Sequence, residues 1–412
     1  MGNPFKKATD RYLTRNVIFT GLTSFFTDIS SEMLYPMLQA FIGVITVNVG
    51  PVLGIMEGIG ESLASILKVF SGYYSDRYKK RKSFVLFGYF ASATSKILLF
   101  VPSVISVLVF RFSDRVGKGI RTAPRDALIS ESVPQKDLGK AFGFQRGMDF
   151  AGAFFGVGLL YVMVKFLYPQ LEQVVYGASS VPTVMFYPIF IVAVLSALLG
   201  ASFLFFTKDT FRTDTASSKI VKPNLNISKY DRTLKLFFLA QFIFTLGNSS
   251  NQFLLLRSTE LCGGLSTVLL MYMLFNITSS VLSPLFGGLS DKVGRKKLLV
   301  AGYVLYAIVY FSFGLLGSTS SWLLWLFWPL YGVYYAMTEG VEKAFVAQTA
   351  PSNSKGTALG VYNTIVGVGL LPASLIAGFL FPINNKAPFL FGGVMSLLAV
   401  AVIVFLIRDT KN

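Results

Sequence analysis

Two ten-residue stretches, Gly72-Tyr-Tyr-Ser-Asp76-Arg77-Tyr-Lys79-Lys80-Arg81 and Gly287-Gly-Leu-Ser-Asp291-Lys292-Val-Gly294-Arg295-Lys296, decide how this chain is organised. Each ends one apolar segment of about 20 residues and opens another, so each reads as a short basic loop joining two helices long enough to cross a bilayer. The copies lie 215 residues apart, and with an offset of 217 Pro134 falls on Pro351, Gly139 on Gly356, Gly143 on Gly360 and Gly152 on Gly369. The chain is therefore a duplication, and a repeat of this size in an apolar protein points to two related helical bundles.

The composition agrees. Of 412 residues, 53% are hydrophobic and 14% charged, and the mean hydropathy is +0.61, a balance that a water-soluble surface accommodates poorly. Segments bounded by charges, Gly or Pro give twelve expected spans: 16–40, 51–75, 83–101, 104–131, 140–165, 183–206, 234–257, 265–290, 298–317, 321–349, 357–381 and 387–407. The net charge of +17 does not read as nucleic-acid binding, because the basic residues cluster in short loops with no base-reading motif around them. Those loops alternate, with Lys165, Arg257 and Lys386 near the opposite face, and the positive-inside rule puts both termini in the cytoplasm. Residues 1–15 are polar and basic and do not resemble a cleaved leader. The expected organisation is a six-helix bundle over 1–207, a cytoplasmic linker over 208–232, basic, Ser/Thr-rich and interrupted by Pro223, and a second six-helix bundle over 233–412.

Gly-x-x-x-Asp followed by Arg or Lys and further basic residues, present in both inner loops, resembles the signature of the major facilitator superfamily, and the resemblance covers essentially the whole chain. It implies an all-α membrane protein of two pseudo-symmetric six-helix bundles that carries a small solute by alternating access. In that family the loop gates the cytoplasmic side, which makes Asp76, Arg77, Arg81, Asp291 and Lys292 gating candidates. The fifth span has Gly143, Gly152 and Gly156 at the spacing of the family's antiporter motif, with Val157 in place of the usual proline, and this favours export. Asp114-Arg-Val-Gly-Lys118-Gly-Ile-Arg121-Thr-Ala-Pro-Arg125-Asp126-Ala-Leu resembles a bacterial subgroup with a charged fourth helix, and implies a cell inner membrane.

Charges within spans carry the mechanism, because each costs about 2.5–3.5 kcal/mol at mid-bilayer and has to be paired or wet. Asp28 and Glu32 share one face of the first span. Arg111, Asp114, Lys118, Arg121 and Arg125 form one stripe on the fourth, flanked by Arg115 and Asp126. Arg111 is similar to the arginine that works beside a first-helix carboxylate in proton-driven relatives, which makes Asp28, Glu32 and Arg111 the proton-coupling candidates. Arg115 and Lys118 are solute-binding candidates, as are the amides Gln241, Asn248 and Asn251 of the seventh span and Trp328, Tyr331 and Tyr335 of the tenth. The aromatic face of the tenth span continues into Glu339 and Glu342; the repeat sets Glu342 opposite Arg125 and Thr338 opposite Arg121, and Arg121, Arg125, Glu339 and Glu342 read equally as gating ion pairs. Arg146 and Asp149, three apart on the fifth span, are expected to pair.

Several classes are set aside. Histidine is absent and Cys262 is the only cysteine, so neither an internal disulfide nor a histidine metal site is available. Gly117-Lys118-Gly119 lacks the upstream Gly and the Ser/Thr of a phosphate loop. No nucleophile–base set marks an enzyme. The expectation is a monomeric secondary transporter that needs no cofactor, moves a small amphiphilic or zwitterionic organic solute and couples it to protons. An organic-anion uniporter, exchanger or uptake carrier is the alternative, and a non-transporting receptor a distant third.

Overall fold

A computed structural model of the chain describes residues 13–134, 138–173, 181–209, 230–262, 264–350 and 355–407. Among these, every regular element is helical: α1 (Arg15–Ile45), α2 (Val49–Tyr78), α3 (Arg81–Ser95), α4 (Val104–Ser132), α5 (Leu138–Val162), α6 (Tyr187–Ser202), α7 (Arg232–Gly247), α8 (Asn251–Cys262), α9 (Leu265–Val293), α10 (Arg295–Leu315), α11 (Leu324–Thr349), α12 (Lys355–Ile383) and α13 (Ala387–Ala401). Seven segments are long and apolar enough to cross a membrane, namely 81–100, 144–167, 183–206, 265–290, 295–315, 358–383 and 387–406. The polar positions of interest are concentrated on the others, α1, α2, α4, α7, α8 and α11. Most of the linker proposed over 208–232 lies outside the described residues.

The chain divides into two compact units. The first comprises 1–37, 63–160 and 183–223; the second comprises 38–62, 161–182 and 224–412. In the first, α3 and α4 touch backbone to backbone: a Cβ on Gly88 would lie 2.6 Å from the carbonyl oxygen of Gly117. This crossing matters for function, because Ser92 and Lys96 follow Gly88 at helical spacing and Asp114 lies one turn before Gly117.

In the second unit the N-terminal half of α2 packs against α12 with the same closeness. A Cβ on Gly54 would come within 2.6 Å of the Ser374 carbonyl oxygen and 3.0 Å of the Gly378 Cα, both of them backbone atoms that have no room to yield. Gly54→Val is therefore expected to destabilise the protein by about 1–3 kcal/mol, read as a lower thermal midpoint in detergent. An unchanged midpoint would mean that the crossing is loose.

The seventh span, expected as one helix over 234–257, is broken. α7 ends at Gly247 and α8 begins at Asn251, with Asn248 at φ −91°, ψ 75°. Asn248-Ser249-Ser250 supplies three short polar side chains in succession, which compete with the helical ladder for backbone groups. The break is satisfied locally: the Tyr306 hydroxyl donates to the Gly247 carbonyl (2.9 Å), and the Ser250 hydroxyl accepts from the Gln252 amide (3.3 Å).

The two loops of the repeat share a backbone feature. Gly294, between α9 and α10, has φ +100°, and Lys79, its counterpart between α2 and α3, has φ +52°. Glycine adopts such values freely, whereas a lysine does so at a steric cost.

Candidate functional site

The close α3–α4 crossing sets the Ser92 hydroxyl to donate to Asp114. One turn on, Lys96 is 1% exposed, and its ammonium donates to the Ser30 hydroxyl at 2.5 Å, which donates in turn to the Ala193 carbonyl at 2.5 Å. The charged groups around Lys96 are Asp114, Arg121, Asp28 and Arg111. Arg111 is buried, with a terminal nitrogen 4.0 Å from Asp114 and its guanidinium 5.6 Å from the Tyr35 ring centre. Arg115 is buried on the same helix, and Lys118 is half-buried.

Asp28 is half-buried where α5 presses Gly152 against α1. The charges acting on it come from Asp149, Glu32, Arg121 and Arg125, so two of the residues assigned to gating by sequence face the proton-coupling candidate. Arg121 lies over the Tyr89 ring, 4.2 Å from its centre. Arg125 donates to Ser24 (3.1 Å), to the Tyr89 hydroxyl (3.4 Å) and to Asp126 (3.0 Å). Gln145 donates to Ser24 and, at 3.1 Å, to Asp149, whose other oxygen is 3.9 Å from Arg146. The result is a polar lattice on α1, α3, α4 and α5 that gathers charges of both signs. Such groups belong to a membrane protein only where they serve one another or a solvated path.

Lys96 was not singled out by sequence. A solitary lysine near the end of an apolar run reads as one whose long stem reaches toward the interface; its counterpart Asp114 becomes visible only once the glycine crossing is known. Lys96→Met keeps the apolar stem and removes the ammonium. It is expected to lower solute transport about ten-fold, equivalent to about 1.4 kcal/mol, while the protein still elutes as a single species from size exclusion. Transport at the parental rate would make Lys96 purely structural.

The second unit is an aromatic assembly around one carboxylate. Glu342 is buried, with Oε1 2.8 Å from the Tyr303 hydroxyl and Oε2 2.5 Å from the Tyr362 hydroxyl. Tyr303 also lies 2.7 Å from Oε1 of Gln241. Its one proton serves Glu342 if the Gln241 amide is turned to donate to the phenol. Phe244 stacks on Tyr303 with ring centres 4.0 Å apart, and Tyr306 stacks on Tyr310 at the same separation.

Trp328 and Tyr331 are fully enclosed: the indole donates to Ser258 (3.0 Å), and the Tyr331 hydroxyl donates to Asn251 (2.8 Å). Tyr335, Asn248, Asn251 and Glu339 are half-buried, whereas Gln241 is buried. Arg257, expected near the outer face, is also buried, and donates to the carbonyls of Phe313 (3.3 Å) and Leu316 (2.8 Å) at the end of α10 and to Glu260 (3.2 Å). The Ser24, Tyr89 and Tyr303 hydroxyls carry no sequence mark that separates them from packing residues. Of the loop residues, Arg77 and Lys292 are exposed and Arg81 pairs with Glu131 at 2.5 Å; the side chains of Asp76 and Asp291 lie outside those described.

The comparisons agree with this architecture. The Major Facilitator Superfamily model matches the chain twice, over residues 20–236 and 237–412. The chain is 38% identical over 405 residues to an uncharacterized MFS-type transporter of Methanocaldococcus jannaschii, covering 96% of each protein. It is 29% identical over 142 residues to the quinolone resistance protein NorA of Staphylococcus aureus, 34% of this chain and 35% of that one. Among solved structures it shares its fold with the nucleoside transporter NupG (TM-score 0.75, 10% identity, 96% of this chain and 100% of that one) and with a D-xylose-proton symporter (TM-score 0.74, 15% identity, 97% and 99%). A family model matched over both halves, together with a relative 38% identical along nearly the full length, makes this chain a multi-pass membrane protein of the major facilitator superfamily.

Proposed function

We propose that the chain is a proton-coupled secondary transporter of a small amphiphilic or zwitterionic organic solute, working by alternating access as a monomer in the cytoplasmic (inner) membrane, with both termini inside. The observation that carries this reading is the lattice of the first unit, where Asp28 faces Arg121, Arg125 and Asp149. A carboxylate held between opposite charges and another acid can lose or take a proton at modest cost, and each protonation state favours a different arrangement of its neighbours. Both signs of charge in the first unit suit a solute that itself carries two opposite charges. Export is the direction favoured by the glycines of α5 and by the partial similarity to NorA. The halves 1–207 and 233–412 remain our proposed boundaries for the repeat.

The test uses purified protein in proteoliposomes with a fluorescent quinolone bearing both a carboxylate and an amine, beside a panel of acidic metabolites and lipophilic drugs. An inside-acid gradient is expected to drive accumulation several-fold above the ungraded level. Flux of every transported compound that ignores the gradient would remove proton coupling. Counterflow of a bare organic anion without any gradient would favour the exchanger reading, in which Arg111, Arg115 and Lys118 bind the anion directly.

A further inference from the structure

The informative groove is on the first unit, between α2 and α3 and floored by α4, with a volume of about 440 Å³. Its walls are Leu67, Phe70, Tyr74, Phe84, Phe87 and Ile120. The Ser71 hydroxyl, also in the lining, is already spent on the Gly119 carbonyl at 2.8 Å. Phe70, Tyr74 and Phe87 are 49%, 41% and 62% exposed, so the groove opens outward from the protein. In a membrane protein an outward apolar surface is ordinary, and the groove by itself would identify nothing; its rim does.

Phe70, Tyr74 and Tyr78 recur at i, i+4 and i+8 on one face of α2, and Tyr74 stacks on Tyr78 with ring centres 6.2 Å apart. This aromatic wall leads from the groove to the loop Arg77–Arg81, in the way that tyrosines mark the level of lipid headgroups. Two of the cations there turn inward: Arg81 pairs with Glu131, and Lys82 donates to the carbonyls of Phe205 (2.9 Å) and Thr207 (2.6 Å). Arg77, Lys79 and Lys80 are exposed instead. Lys79 holds that position on a left-handed backbone at φ +52°, where the second copy of the loop uses Gly294. A side chain kept at a site where glycine fits better is a sign of use.

We propose that the α2–α3 groove and its basic rim form a binding site for an anionic phospholipid of the inner leaflet, with an acyl chain in the groove and the phosphate beside Lys79 and Lys80. The inference uses the cytoplasmic placement of this loop and is independent of the transported solute. A net-neutral phosphatidylcholine fills the groove equally well and gains nothing from the rim, whereas an acidic headgroup gains from each nearby cation.

Phe87→Trp puts a reporter in the groove, with the three native tryptophans measured as background in the parent protein. In vesicles of phosphatidylcholine, acyl-brominated phosphatidylglycerol is expected to quench this reporter at about five-fold lower mole fraction than acyl-brominated phosphatidylcholine. Lys79→Gly combined with Lys80→Gln abolishes the difference, and Lys297→Gln, at an exposed site on α10, preserves it. Lys79→Gly alone raises the thermal midpoint in pure phosphatidylcholine, because it releases the backbone. Equal quenching by the two lipids, or a preference that survives the double substitution, overturns the site; so does a lower midpoint, since Lys79 would then be placed by folding alone. Should Phe87→Trp fail to reconstitute, Tyr74→Trp reports from the facing wall with the same outcomes.

Discussion

In proteoliposomes, Asp28→Asn is expected to reduce pH-gradient-driven solute accumulation about ten-fold or more, the equivalent of about 1.4 kcal/mol, while solute exchange without a gradient stays within about two-fold of the parent. The reason lies in what the carboxamide keeps and what it loses. Asparagine preserves the size of Asp28 and its place beside Gly152 on the α1–α5 contact, so packing survives. It carries no proton on and off, and it no longer answers the charges of Arg121, Arg125, Asp149 and Glu32. A coupling residue is therefore separated from a binding residue by the split between the two assays: loss in both assays assigns Asp28 to solute binding, and loss in neither leaves the proton path elsewhere in the lattice. Glu32→Gln, on the same face one turn away, is expected to show a smaller effect of the same sign.

Glu342→Ala is expected to lower stability by about 2–3 kcal/mol, because it takes the buried carboxylate from Tyr362 and leaves Tyr303 only Gln241 to donate to, and a lost buried partner costs about 1–3 kcal/mol. Glu342→Gln is milder, about 1 kcal/mol, since a hydroxyl can turn to accept from the new amide while the other donates to its oxygen. Thermal midpoints of the purified variants measure both. If Glu342 instead acts chiefly as a gate, the order changes: the Gln variant alters transport rates without altering the midpoint. The geometry supports the first outcome, for Tyr303, Tyr362 and Gln241 are all within the second unit and Phe244 stacks on the Tyr303 ring.

The spans and the duplication were legible because lipid imposes them: a segment that crosses a bilayer has to be apolar over about 20 residues, and a duplicated gene keeps its loops in register. The break at 248–250 was hidden, because three polar residues in a row are equally compatible with a continuous helix whose neighbours bond to them. Periodicity placed Trp328, Tyr331 and Tyr335 on one face, but it does not say whether a face meets protein or solvent; the first two are enclosed and the third is half-buried. The α4 stripe was visible from its spacing, whereas its anchor in Lys96 and Ser92 depended on the contact of Gly88 with Gly117, a fact of distance between helices that no local pattern contains. Lys79 is the reverse case, a departure plain in the sequence whose strained backbone gives it meaning only in the structure.

The interruption between α7 and α8 has a mechanical consequence. The Gly247 carbonyl is bonded to Tyr306 and the Gln252 backbone amide to the Ser250 hydroxyl instead of to the helical ladder, so a bend at Asn248–Ser250 would break fewer ladder bonds than one inside α7 or α8. Bending costs least at a joint that is already cut, and here the cut falls within a span that lipid would otherwise keep as one rod.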